Sequence, residues 1–183
     1  MKTLSSEHAR QLQVVYNQLY PSKLIAHMSH FYHEHGRISI NEDIIGSERP
    51  GPNNHSSATI AAYWPGCGES LNRIDYSERR VGTVQYYVQY MIEFHSESSF
   101  ETEKLKYLFC YVLWKQISPN TSYFSQSAVV CTNSYELPSV CSFLPAQRIL
   151  AKCAHTVIPL NLGSHEESYF VEMFIVNIYC IVV

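Results

Sequence analysis

A mainly β fold of the α+β kind is what this sequence predicts: a small antiparallel β-barrel-like domain preceded by an N-terminal helical hairpin. Three observations carry that expectation. Fourteen Tyr, eight Phe and two Trp favour β structure, because aromatic side chains fit a pleated, half-buried surface. Apolar residues recur at helical spacing before Gly36 and alternate after it. A chain of 183 residues, 46% hydrophobic and 16% charged, has the size and composition of one globular domain able to bury a core.

In chain order, Ser5 or Ser6 can cap a helix that Glu7 favours at its positive end. Leu12, Val15 and Leu19 give it one apolar stripe, and it ends near Tyr20-Pro21. Ser22 opens a second predicted helix with Leu24, Met28 and Phe31 on one face, stopped by Gly36. Residues 1–36 are thus expected to form the helical hairpin, 37–166 the barrel-like domain, and 167–183 an apolar tail. "RISINEDIIGS" reads as two short strands around Asn41-Glu42-Asp43, and "ATIAAYWP" as a buried strand. "RVGTVQYYVQYMIEFHS" alternates, with Val84, Tyr86, Val88 and Tyr90 on one face and Tyr87, Gln89 and Met91 on the other. "LKYLFCYVLWKQI" fits either period; its aromatic load and the stop at Pro119-Asn120 favour a strand. The short polar link between these two makes Val84–Phe94 and Leu105–Trp114 antiparallel neighbours, with Trp114 near Val84 or Tyr86. "SAVVCTN" and "CSFLPAQRILAKCAHTVIPLNL" supply further strands, with a turn expected at Leu144-Pro145. The tail "SYFVEMFIVNIYCIVV" is shorter than the roughly 20 apolar residues of a membrane span and reads as a core strand or a non-native end.

A formal charge of −3 argues against whole-surface attraction to nucleic acid. The first residues lack the apolar run of a secretory signal, so an intracellular address, nuclear or cytoplasmic, is expected. Six cysteines should then stay reduced, and none forms a C-x-x-C pair for a zinc ribbon. The sequons at Asn54 and Asn120 would go unused in that compartment.

Four stretches invite a chemical reading. "HMSHFYHEH" would place His27, His30 and Glu34 on neighbouring helix faces. The His-Glu-x-x-His pattern is absent there, and the plainer reading is a solvated helix end. Cys67 sits between glycines, but no base is placed beside it; His95 and His155 are the candidates. Tyr86, Tyr87, Tyr90, Tyr111 and Trp114 could form a cage for a methylated lysine, or simply core. Arg79, Arg80, Arg148 and Lys152 could make a basic patch, or a charged strand edge.

"VGTVQYYVQYMIEF", "YLFCYVLWKQISPN" and "SFLPAQRILAKCAH", in that order, resemble a multicopy, mobile-element-like protein family of sponges and cnidarians, over residues 38–162. That resemblance implies a domain extent more than an activity. The same order is similar to the bromo-adjacent homology domain, a β-barrel reader of chromatin partners. Val81-Gly82-Thr83-Val84, Trp114 and Ile149-Leu150-Ala151-Lys152-Cys153 carry the likeness. The short loop after the Trp strand and the lack of an acidic cluster depart from it, and fold analogy is a poor warrant for function.

The function expected is a non-enzymatic interaction module with a protein partner, without cofactor, metal or catalytic residue. Arg79, Arg80, Tyr87, Arg148 and Lys152 are its candidate partner-binding residues. One alternative is a nucleic-acid-associated piece of a mobile-element protein acting through the basic residues. The other is a metal-dependent hydrolase built on His27, His30 and Glu34.

Overall fold

A computed structural model describes residues 2–29, 31–40, 43–48, 58–65, 79–95, 102–117, 128–157, 167–174 and 180–181, with backbone alone for 43, 128, 130, 133, 154–157, 167–174 and 180–181. The chain is mainly β, with antiparallel strands and one α-helix near its N-terminus.

After a two-residue strand β1 (Lys2–Thr3), helix α1 (Ser6–Leu19) begins where the sequence places it. The Ser5 hydroxyl accepts the His8 amide at 3.2 Å, and Glu7 lies in the first turn. Gln11, Leu12, Val15 and Tyr16 form its buried face.

The second expected helix does not form. Its place is taken by β2 (Ile25–Met28) and β3 (Phe31–His35), both antiparallel to a later strand. The apparent stripe of Leu24, Met28 and Phe31 is not a buried face: Leu24 and Phe31 are 72% and 55% exposed. Pairing with a long neighbouring strand overrides a weak local helix pattern here. Residues before Gly36 therefore contribute strands to the same sheet as those after it.

The strands then follow as β4 (Arg37–Ile40), β5 (Asp43–Gly46), β6 (Thr59–Tyr63), β7 (Arg79–His95), β8 (Thr102–Ile117) and β9 (Ala128–Tyr135). A 3-10 turn at Val140–Ser142 leads into β10 (Phe143–Pro145), and a second at Ala146–Arg148 into β11 (Ile149–Val157). The tail supplies β12 (Glu167–Phe174), paired on both sides to β11 and β9, and β13 (Cys180–Ile181), paired to β4.

The hairpin of β7 and β8 is the spine, in register from Gly82 opposite Trp114 to His95 opposite Thr102. A register shift between Val84 and Tyr86 marks a bulge. Ladders run from β7 through β6, β11, β12 and β9 to β8. The last link is thin, two residue pairs on either side of an irregularity, Lys115 with Tyr135 and Ile117 with Cys131. The sheet is thus curled but not closed into a regular barrel, which corrects the barrel expectation. A smaller sheet, β13-β4-β5, lies against it. The Tyr87 hydroxyl donates to the Gly46 carbonyl at 3.2 Å, and the Lys152 ammonium to the Ile44 carbonyl at 3.4 Å.

Helix α1 covers the face of the spine that carries the even-numbered residues of β7 from Tyr86 on and their odd-numbered partners on β8. The Tyr16 ring stands 4.9 Å from Tyr107 and 5.2 Å from Phe109, both edge-on. His8 lies 4.8 Å from the Tyr111 ring. The opposite face is covered at Tyr87 by the small sheet and is left open beyond it.

Candidate functional site

At the Gly82 end of the spine, polar groups are used internally. Trp64 and Trp114 donate their indole N–H groups to one acceptor, the Cys141 carbonyl, at 2.8 and 2.7 Å. That carbonyl is presented by the 3-10 turn, whose Ser139 cap accepts the Cys141 amide at 3.1 Å. A carbonyl oxygen has two lone pairs, so both indoles are satisfied without water. Arg80, 4% exposed, donates to the Pro65 carbonyl at 2.9 Å and pairs with Glu136. Its guanidinium also lies 5.4 Å from the Trp114 ring centre.

This arrangement revises the residues expected to meet a partner. Arg80 is buried and engaged, and Tyr87 is wholly buried, so neither is a surface contact. Arg79 and Lys152 are half-buried and Arg148 is exposed. Arg79 pairs with Tyr63 while Ile149 pairs with Ala62, which sets Arg79 and Arg148 near one end of β6. Lys152 holds the small sheet. The proposed aromatic cage is core: Tyr86, Tyr87, Tyr90, Tyr111 and Trp114 are all buried, and Tyr86 stacks on Tyr111 at 5.1 Å.

The helix spacing that grouped His27, His30 and Glu34 is gone with the helix. Glu34 instead binds Lys2 and the Tyr32 hydroxyl, each at 3.0 Å. His30 and Cys67 lie outside the described residues, as does the His155 side chain. Among the described residues no three His, Cys, Asp or Glu side chains are placed to hold a metal ion. Cys110, Cys131, Cys141 and Cys153 are buried and form no disulfide among the described residues, and burial pushes the Cys131 thiol up to about 12. A thiol held protonated in this way is a poor nucleophile. Among the described residues no helix is long and apolar enough to cross a membrane.

The open part of the molecule is the other end of the spine. Met28 pairs with Ile92 and His33 with Gln89, so four residues of the edge (29–32) face two of β7 (90, 91). Of these, Phe31 and Tyr32 pair with Thr3 and Lys2 of β1 and not with β7, which leaves an arch at Ser29. Ser29 fixes the arch, its hydroxyl bonded to the Phe31 carbonyl and amide at 3.0 and 3.1 Å. The Tyr90 hydroxyl also donates to the Ser29 carbonyl. Under the arch lies a groove of about 340 Å³ lined by His27, Ser29, Phe31, His33, Gln89, Tyr90, Met91, Glu93 and Lys106. That volume is at the small end of the roughly 300–1,000 Å³ of ligand sites.

No family model, curated protein or solved structure matches this chain.

The groove is amphipathic. Met91, 38% exposed, stands opposite Lys106 in register, beside the exposed Phe31 ring. Glu93 meets Lys104 at 3.0 Å. His27, His33 and Lys106 make no hydrogen bond or ion pair among the described residues. Of the residues lining the groove, the sequence named His27 as a metal candidate and Tyr90 as a cage candidate, and did not bring them together. The available signal was the extension of the Gln89, Met91 face to Glu93 and His95, mostly polar against the apolar Tyr90, Ile92 and Phe94.

Proposed function

We propose that this chain is a non-enzymatic interaction module that holds a segment of a protein partner in the groove under the Ser29 arch. One observation carries the reading. The groove sets exposed Phe31 and Met91 beside three unengaged polar side chains, His27, His33 and Lys106. Apolar anchors ringed by polar groups are the composition of a contact patch. The stretch of β7 beneath them, paired residue by residue to β8, supplies a preformed floor. The nucleic-acid alternative loses Arg80, whose charge is spent inside the fold.

Site-specific crosslinking tests this. A photoreactive benzoylphenylalanine in place of Met91 should yield a small set of protein adducts in cell extract. Adding Phe31→Glu should remove them. The same group in place of exposed Gln116, on the far half of β8, is the control. Adducts that are absent, or identical from both positions, would exclude the groove as a protein contact.

A further inference from the structure

We infer that the partner segment is a short acidic peptide carrying at least one apolar side chain. This rests on the reading of the groove as a protein contact and adds the chemistry of what fills it.

The charges on the open face decide the sign. Residues two apart on a strand share a face, so Lys104 and Lys106 point the same way on β8. Lys104 stands opposite Glu93 in register and bonds to it at 3.0 Å, so that carboxylate is already neutralised. Lys106 stands opposite Met91, which offers no charge. Among the described residues of β7 and β8 the face therefore carries two ammonium groups and one carboxylate, with the excess cation at the groove wall. His27 and His33 add ring N–H donors from the arch side, and neither ring is engaged elsewhere among the described residues. Carboxylates accept from each of these groups, whereas a basic segment would meet Lys106 with like charge.

The apolar requirement comes from the same wall. Phe31 and Met91 are exposed and adjacent to the excess cation, and thioether and ring surfaces favour apolar or aromatic contact. The Ser29 hydroxyl and the Tyr90 hydroxyl are both committed to holding the arch. Recognition then falls to Lys106 and the two imidazoles for charge, and to Phe31 and Met91 for shape. The chain's formal charge of −3 does not reverse this, because charges beyond about 8–10 Å are screened at ordinary salt.

Fluorescence anisotropy on the full chain tests the inference with four labelled probes. The first is a short peptide of Asp and Glu around one Phe. The second carries Asn and Gln in their place, the third carries Lys, and the fourth is a single-stranded oligonucleotide. The acidic peptide should bind saturably, about tenfold or more tighter than its amide and basic counterparts. Lys106→Glu should invert that order, and Phe31→Ala should weaken the acidic peptide without changing the thermal midpoint. Equal binding of the acidic and amide peptides, or preference for the oligonucleotide, would overturn the inference. Failure of the acidic peptide while crosslinks from position 91 persist would overturn the acidic class alone. Failure of both would sink the protein-contact reading as well.

Discussion

The two ends of the β7–β8 hairpin are made from the same pair of strands and are finished in opposite ways. At the Gly82 end, two indoles converge on the Cys141 carbonyl and a guanidinium is divided between Pro65 and Glu136. At the His95 end, an ammonium and two imidazoles stand beside exposed Phe31 and Met91 with no partner among the described residues. Residue type does not separate them, since each end holds aromatics next to cations. What differs is cover. Folding uses up the polar groups that are enclosed, and those left outside keep their bonding capacity for something else.

Removing cover should have the largest effect. Leu12, Val15 and Tyr16 are wholly buried on α1, and each is worth about 1.5–3 kcal/mol. Deleting residues 1–36 removes that helix and the strands β2 and β3, a loss comparable with the roughly 5–15 kcal/mol of a whole domain. Circular dichroism on a chain starting at Arg37 should show no cooperative melt. A normal melt would mean that the spine is stable when uncovered.

Next comes the closed end itself. Trp114 is 3% exposed, and its loss opens a cavity against Gly82 and Val112. Trp114→Ala should cost about 3–5 kcal/mol in urea unfolding. Gly82→Ala attacks the same contact from the other side, because an added Cβ would sit 2.4 Å from Val112 Cγ1 and 2.8 Å from Trp114 Cε3. Overpacking of that kind costs about 1–3 kcal/mol. An unchanged midpoint for Trp114→Ala would remove it from the core.

The pH response of the covered face should be smaller. Burial lowers the His8 pKa from its ordinary 6.5, partly countered by Glu7, while the ring faces the Tyr86 hydroxyl at 3.2 Å. The unfolded chain then takes up this proton before the folded one does. His8 supports the fold fully above its ordinary pKa and progressively less as pH falls through 6.5 towards the lowered value. Urea midpoints between pH 7 and 5 should fall less steeply in His8→Phe than in the parent chain. Parallel slopes would show that His8 is not the group responsible.

At the open end the smallest change in stability is expected. Met91→Glu alters an exposed side chain and should shift stability by no more than about 0.5 kcal/mol. A substantial loss would place Met91 in the core and erase the contrast between the ends.

Much of this architecture was legible in the sequence, and the exceptions share a cause. The Ser5 cap and the Leu12–Val15 stripe mark α1 by contacts within one or two turns. The alternation of 79–95 and 102–117, joined by a short polar link, identifies the hairpin. Leu24, Met28 and Phe31 keep helical spacing, yet the segment forms β2 and β3, because the partner that decides, β7, lies some sixty residues on. Arg80 reads as surface beside Arg79, but alternation turns it inward towards Glu136, 56 positions away. The carbonyl shared by two tryptophans joins residues 77 and 27 positions apart. The groove draws on four strands at once, and no local pattern announces such a meeting.

The arch over the groove has a consequence of another kind. It exists because the edge holds two more residues than β7 needs between Met28 and His33. Its presence is therefore a matter of chain length rather than of which residues occupy it. Shortening the edge by two positions would let the ladder run straight from β2 into β3 and erase the groove without touching a core side chain. Lengthening it would widen the opening over the same floor. A groove adjustable by insertion and deletion can change its width and depth while the rest of the fold stays fixed.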